Sequence, residues 1–152
     1  MKTAPLKKTA GAESVAVIVL NHNKRDELLK CLRSVQKITN MAYEVVVVDN
    51  GSTDGSGQAA SEAYRGIHLV QSTENLGASG GRNLGFEYVQ QNINCRYVLF
   101  LDNDAVVEEQ CIEELVTALS IVTLPRRGSR VQIPFPAPSY NSVQAYLLSD
   151  LN

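Results

Sequence analysis

The sequence of 152 residues lacks the features that mark several specialised classes of protein. No apolar run approaches the roughly 20 residues of a membrane span. The three cysteines form no CxxC pair and there are only two histidines, so neither a zinc site nor a disulfide framework is indicated. A formal net charge of −2 gives no basic surplus for nucleic acid or an anionic membrane. We therefore predict buried, reduced thiols, and the absence of a signal-peptide segment behind the N-terminal lysines favours the cytoplasm.

What the sequence does contain is a set of continuous apolar runs that stop at polar residues. The runs and the residues that follow them are 15–20 with Asn21, 45–48 with Asp49 and Asn50, and 97–101 with Asp102. Such runs are typical of strands buried on both faces. Because parallel strands end at one edge of a sheet, we expect these polar ends to lie together, where open α/β sheets bind ligands.

Helical periodicity fills the segments between these strands. It predicts a helix over 24–39 with Asn23 as its N-cap, and a last helix ending near 119. With a further short helix and a short strand over 67–70, strand and helix alternate four times. This alternation predicts an α/β fold, a Rossmann-like half-domain whose parallel sheet has helices on both faces. By analogy with nucleotide-binding half-folds, we expect strand order 3-2-1-4.

Three glycines lie in the segment that leads into the last of these strands. Gly77, Gly81 and Gly85 come at intervals of four residues. On a helix they share one face and let its backbone lie close to a neighbouring element, while Arg82 points elsewhere.

Composition divides the chain into three segments. We predict a flexible arm over 1–13, the α/β domain over 14–119 and an irregular tail over 120–152. The tail holds four of the five prolines and a single acid, Asp150. Proline excludes a long helix or a central strand through most of it, and we expect a short helix over 143–148.

The polar strand ends have a chemistry in common. Asp102 and Asp104 present hard oxygens of the kind that Mg²⁺ or Mn²⁺ prefers, and these ions commonly accompany a phosphate-bearing substrate. Asp49 can accept hydrogen bonds from a base or ribose, while Arg82 and the backbone N–H groups near Gly77 can hold base or phosphate oxygens. Taken singly, each motif also fits a helix cap, a turn or helix packing. Their placement at one sheet edge favours a nucleotide site.

These segments resemble those of family 2 glycosyltransferases, which have the GT-A fold. Residues 46–56 resemble the nucleotide-contact segment of that family, and residues 100–104 resemble its DxD motif. Residues 75–83 are similar to its NxG…RN segment. The N-terminal motif also fits, although the family commonly has tyrosine where His22 stands. Within the family, the likeness is to rhamnosyltransferase-like members.

The resemblance implies transfer of a sugar from a nucleoside-diphosphate sugar, with inversion at the anomeric carbon and with Mg²⁺ or Mn²⁺ as cofactor. The candidate metal ligands are Asp102 and Asp104. The candidate residues for nucleotide-sugar binding are Asn21, Asp49, Asn50, Gly77, Arg82, Asp102 and Asn103. The donor sugar, its base and the acceptor are not indicated.

The chain departs from the family after the DxD motif. Family members continue with a second half that supplies the acceptor pocket and an acidic general base. Here Asp150 is the only acid beyond the last helix, and its surroundings match no family motif. We therefore predict a truncated family member for which donor binding is favoured over transfer.

Two alternatives stay open from the sequence. The chain can be a non-catalytic nucleotide-binding remnant or a gene fragment. Residues 99–107 also resemble the first motif of haloacid-dehalogenase-like phosphatases, in which Asp102 would be the nucleophile and Asp104 an acid/base. No lysine follows Asp102, although that family requires one, and this weighs against the phosphatase.

Overall fold

The computed structural model of the protein describes residues 14–38, 40–121 and 143–147, and all structural statements concern these residues. Strands and helices alternate along the chain. They are β1 (Val15–Asn21), α1 (Arg25–Val35), β2 (Tyr43–Asn50), α2 (Ser56–Ala63), β3 (His68–Ser72), α3 (Gly77–Asn92), β4 (Tyr97–Asp102), α4 (Cys111–Ile121) and β5 (Val143–Leu147). Within this part of the chain, no helix combines the length and apolar character needed to cross a bilayer.

The strands form a single sheet in the order β3-β2-β1-β4-β5. The first four strands in this order are parallel, which confirms the predicted order 3-2-1-4. The prediction of a short helix over 143–148 is wrong, because residues 143–147 form β5, antiparallel to β4. An open strand edge offers unpaired N–H and C=O groups, and pairing with them outweighs the weak helical preference of a five-residue segment. The predicted arm and the rest of the predicted tail lie outside the described residues.

The sheet is covered by helices on both faces, as predicted. On one face, side chains of β1, β2 and β4 pack with α1, α2 and α4. On the other face, the alternate side chains pack with α3. Because successive residues of a strand point to opposite faces, burial on both sides requires the continuous apolar runs seen in the sequence. β3 lies at the edge of the sheet and is only half-buried.

Two glycines bring α3 directly against the sheet. A Cβ atom at Gly85 would lie 2.7 Å from Val48 Cγ2 and 2.8 Å from Ile18 Cγ2. A Cβ atom at Gly81 would meet the Leu20 side chain. These separations are shorter than carbon–carbon contact, so the helix can occupy this position only without side chains there.

Two predictions about local backbone are wrong. Gly77 does not share the packing role of the other glycines: a Cβ there would meet nothing within 4 Å, and the residue has a φ of +71°. Asn23 is not the N-cap of α1, because it has a φ of +51° and its side-chain oxygen accepts a 2.7 Å hydrogen bond from the Thr53 N–H. Asp54 Oδ2 instead accepts the Arg25 N–H at 3.1 Å. The Asp54 carboxylate, which belongs to the loop after β2, thus caps the N-terminus of α1 in place of a side chain from the adjoining sequence.

The cysteines are free thiols, as predicted. Cys31 and Cys111 are buried, and Cys95 is partly buried. Burial raises the pKa of Cys31 and of Cys111 to about 12 and that of Cys95 to about 11. The negative charges of Asp104 and Asp102 add to the effect of burial on the pKa of Cys31.

We expect the native chain to react slowly with the thiol reagent DTNB at pH 8, because thiols with a pKa of 11 to 12 carry little thiolate there. Because folding raises these pKa values, the free energy of unfolding also depends on pH. Its contribution from the protonated thiols is fully present below the unfolded thiol pKa and is lost as the pH rises through about 11 to 12. Chain unfolded in guanidinium serves as the control. Rapid reaction of all three thiols in the native chain would contradict this.

We also expect Gly85→Ala to lower the free energy of unfolding by about 1–3 kcal/mol, because the added methyl overpacks the contact between α3 and the sheet. The measurement is urea unfolding followed by circular dichroism. Ser79→Ala, an exposed position of the same helix, is the matched control and should change the free energy by less than about 0.5 kcal/mol. Equal stability of the two variants would show that the helix does not lie this close to the sheet.

Candidate functional site

The polar strand ends meet at one edge of the sheet. Asn21 is the register partner of Asp49, and Leu20 is the register partner of Asp102. Since β1 lies between β2 and β4, the two acidic positions are separated by two strand spacings, about 10 Å. The prediction that these ends converge is confirmed.

Strand alternation divides this edge into two polar layers. Asn21 and Asp49 lie on the face that packs against α1, α2 and α4, because they continue the alternation of the buried residues there. Asn50 and Asp102 lie on the α3 face by the same rule. The sequence predicted the shared edge but not this division.

Asp49 is held by polar groups of two neighbouring segments. Only 5% of the residue is exposed. Its Oδ1 accepts a 3.3 Å hydrogen bond from the Ser52 N–H, and its Oδ2 accepts one of 3.3 Å from Gln71 Nε2. Gly57, in the first turn of α2, leaves room for the carboxylate, since a Cβ there would clash with it. Each carboxylate oxygen can accept a second hydrogen bond, so Asp49 keeps acceptor capacity for a ligand N–H.

Asn21 is fully buried and connects three segments. Its Nδ2 donates hydrogen bonds to Ser56 Oγ at 2.7 Å and to Ser52 Oγ at 3.3 Å. Its Oδ1 accepts a 3.0 Å hydrogen bond from Asn103 Nδ2. The side chain therefore joins the end of β1 to the start of α2 and to the turn after β4.

Asn50 performs a similar task on the other face. Its Nδ2 donates to Asn75 Oδ1 and to the Gly77 carbonyl, both at 3.1 Å, and its Oδ1 accepts the Leu76 N–H at 3.0 Å. The Gly77 N–H donates to Asn75 Oδ1 at 2.9 Å. Two of the backbone N–H groups near Gly77 are thus used within the protein, and Asn50 fixes the segment that begins α3.

The acidic turn after β4 is partly exposed. Arg82 Nη2 donates to Asp102 Oδ1 at 2.9 Å, with 29% of the arginine side chain and 40% of the aspartate side chain exposed. The Asp102 carbonyl accepts the Ala105 N–H at 3.0 Å, which closes a turn over Asn103 and Asp104. Asp104 is exposed. Arg82 has further guanidinium N–H donors, so it can pair with this carboxylate and still bind an anion.

The donor set of this turn fits a divalent ion that shares its ligands with a substrate. Asp102 and Asp104 supply carboxylate oxygens, the ligands that Mg²⁺ and Mn²⁺ prefer. No group of three or more His, Cys, Asp or Glu side chains within the described residues could hold a metal by itself. Mg²⁺ commonly binds through one or two carboxylates, with phosphate oxygens and water completing its coordination. Such an ion would be held by Asp102 and Asp104 together with a diphosphate.

Sequence reasoning missed several residues at this edge. Ser52 and Ser56 organise the side of the site near Asp49, and Gln71 contacts that carboxylate from β3. The Nδ1–H of His22 donates to the Asn50 carbonyl at 2.9 Å. The density of serine, threonine, aspartate and glycine after β2 was the available signal, because such residues satisfy backbone groups in turns and caps.

Comparison with known proteins identifies relatives of this chain. The model of the family "Glycosyl transferase family 2" matches residues 16–121. Glycosyltransferase AglE of Haloferax volcanii is 33% identical over 127 residues, which cover 80% of this chain and 40% of that protein. Glycosyltransferase GlyA of Streptococcus pneumoniae is 37% identical over 105 residues, 68% of this chain and 14% of that protein. The chain thus spans less than half the length of these relatives.

Solved structures with the same fold include two nucleotide-sugar complexes. The mannosyltransferase PcManGT of Pyrobaculum calidifontis, in complex with GDP-Man and Mn²⁺, has a TM-score of 0.61 at 21% identity, over 88% of this chain and 44% of that one. Residues 1–349 of TarS from S. aureus, in complex with UDP-GlcNAc, have a TM-score of 0.57 at 21% identity, over 77% of this chain and 38% of that one. The fold is that of the GT-A glycosyltransferases, as the sequence predicted.

We expect Asn50→Ala to loosen the start of α3, because it leaves the Leu76 N–H and the Gly77 carbonyl without their partner. Leaving such groups unpaired costs about 1–3 kcal/mol. Hydrogen exchange should accelerate at the Leu76 amide while the amides of α1 keep their protection. Asn92→Ala, in the last turn of α3, is the matched control. Unchanged exchange at Leu76 would show that Asn50 does not hold this segment.

Proposed function

The chain belongs to glycosyl transferase family 2, and on that basis we propose that its described part binds the nucleoside-diphosphate portion of a sugar donor. The observation that carries the proposal is the register of the central strands, which brings Asp49 and Asp102 to one edge of the sheet. The occurrence of UDP-GlcNAc and GDP-Man in complexes of the same fold supports it. The donor sugar and the rhamnosyltransferase-like subgroup stay predictions.

On one side of the edge, Asp49 would accept an N–H group of the base. The Ser52 N–H and the Gln71 side chain each donate a hydrogen bond to one of its oxygens, and these bonds orient the carboxylate before a ligand arrives. An ionised acceptor in a nearly buried position makes a stronger hydrogen bond than an exposed neutral one. Gln71 is exposed and can turn aside to admit the base.

On the other side, the turn after β4 would hold the diphosphate. Asp102 and Asp104 are the proposed ligands of Mg²⁺ or Mn²⁺, and an ion held there would supply Lewis-acid stabilisation of the departing diphosphate. Arg82 would neutralise the excess charge of the carboxylates and phosphates, because its guanidinium carries more donors than the bond to Asp102 uses. Asn103, on the same turn, is the proposed contact nearest the sugar.

Transfer of the sugar needs more than a bound donor. We propose inversion at the anomeric carbon, which requires an acidic general base beside the acceptor, and we propose no such base among the described residues. Asp150 lies outside the described residues. A missing base lowers the rate by about 10²–10⁴. We therefore propose that the 152-residue chain binds the donor nucleotide and transfers sugar slowly or not at all.

The alternatives raised by the sequence differ from this proposal in a measurable way. Membership of the family favours a glycosyltransferase over the phosphatase-like alternative. A non-catalytic nucleotide-binding remnant would bind nucleotide through the same residues and transfer no sugar, and a gene fragment with no role would bind none. Binding and sugar transfer, measured separately, therefore decide between the proposals.

Calorimetric titration of the full chain with UDP, GDP and dTDP in the presence of Mn²⁺ tests the proposal. We expect at least one nucleotide to bind, and Asp49→Ala to weaken its binding by about 10-fold or more, since a hydrogen bond to a charged group contributes about 1.5–3 kcal/mol. Asp104→Ala should weaken binding in Mn²⁺ but not in EDTA. Glu87→Ala, an exposed acid of α3, is the matched control.

Equal binding by all four proteins would refute the assigned site, and absence of binding by the unmodified chain would refute the function. Efficient sugar transfer by the purified chain would refute the view that it binds the donor without using it.

A further inference from the structure

We propose that Asn21 is a positioning residue that sets the metal affinity of the acidic turn from inside the protein, through Asn103. The inference rests on the proposed donor-nucleotide site and adds to it a residue that touches neither metal nor nucleotide. Asn21 has an exposed fraction of 0%, so the amide is shielded from any ligand at the surface.

The hydrogen-bonding capacity of Asn21 is directed inward. Both N–H groups of its amide are engaged, one with Ser56 Oγ at 2.7 Å and one with Ser52 Oγ at 3.3 Å. Its Oδ1 accepts Asn103 Nδ2 at 3.0 Å. All three hydrogen-bonding groups of the Asn21 amide are thus used within the protein, which restrains the side chain to this position.

The bond to Asn103 is a side-chain link between the acidic turn and the interior, beside the pairing of β4 with β1. The Ala105 N–H closes the turn on the Asp102 carbonyl at 3.0 Å, which fixes its internal shape. The ion pair with Arg82 holds one carboxylate, but both side chains are partly exposed and such pairs restrain position weakly. Asn103 is tied to a group that cannot move without breaking buried hydrogen bonds. The pairing of β4 with β1 fixes Asp102, so it is the position of Asn103 and Asp104 relative to the sheet that depends on Asn21.

The same amide also connects to the side of the site near the base. Ser52, which accepts from Asn21, donates its backbone N–H to Asp49 Oδ1 at 3.3 Å. A continuous series of hydrogen bonds thus runs from Asp49 through Ser52, Asn21 and Asn103. In a nucleoside diphosphate, the separation of base and phosphates is limited by covalent length. A protein that holds both contact points in place before binding loses less freedom when the ligand arrives.

The test compares Asn21→Ala, Asn103→Ala and the double variant with the unmodified full-length chain. Dissociation constants for UDP, GDP and dTDP are measured in Mn²⁺ and in EDTA, and their ratio gives the gain in affinity due to metal. We expect each single variant to reduce this gain by about 10-fold, the lower end of the loss seen when a group that orients a metal ligand is removed. The double variant should reduce the gain no further than Asn21→Ala alone, since the bond between Asn21 and Asn103 is already lost in that variant.

Two readouts separate this role from general destabilisation. A general loss of structure would lower the affinities in Mn²⁺ and in EDTA by the same factor and leave their ratio unchanged, whereas loss of the positioning bond lowers the ratio. Asn92→Ala, a change of the same type remote from the site, should keep the full gain. If Asn21→Ala fails to fold by circular dichroism, Asn103→Ala decides alone, because it breaks the same bond from the partly exposed side.

Additive losses in the double variant, or an undiminished gain in either single variant, would overturn this proposal. The proposed function would survive such a result as long as Asp49→Ala and Asp104→Ala still weaken binding. A chain that binds no nucleotide in Mn²⁺ or in EDTA would overturn both proposals together.

Discussion

The register of three parallel strands is the constraint on which the site depends. β1 lies between β2 and β4, and its paired residues bring Asn21, Asp49 and Asp102 to one edge of the sheet. Backbone hydrogen bonds fix this register, and burial on both faces prevents a strand from slipping, since a shift by one residue would turn its side chains to the wrong face. The carboxylates therefore occupy fixed positions without needing contact with one another.

Buried amides then organise the loops that the strands leave open. Asn21 on one face and Asn50 on the other each bond two neighbouring segments. Neither could do so if the helices stood further from the sheet. α3 approaches closely because Gly81 and Gly85 have no side chains, and Gly57 gives Asp49 a similar clearance beneath α2. The hydrogen bonds at the polar edge of the sheet thus depend on the close packing of α2 and α3 against it.

The sequence predicted the central sheet and the shared edge because both follow from local patterns. The apolar runs that end at Asp49 and Asp102 specify buried parallel strands, and parallel strands end together. The sequence did not predict β5, whose strand conformation depends on pairing with β4, from Leu101 with Val143 to Tyr97 with Leu147, across 42 to 50 positions of the chain. The partners of Asn21 and Asn50 were equally out of reach, because an asparagine at a strand end fits a turn, a cap or a ligand contact equally well. Such contacts are set by tertiary structure.

Paramagnetic broadening of backbone amide signals by Mn²⁺, measured by NMR on the full chain with UDP, GDP or dTDP present, shows directly whether the metal binds at the acidic turn. We expect the signals from Asp102, Asn103 and Asp104 to disappear first. Amides at the opposite edge of the sheet, where Glu44 bonds to His68, should keep their intensity. Broadening centred on Glu44 and His68, or none at the acidic turn, would contradict a metal site at the ends of the central strands.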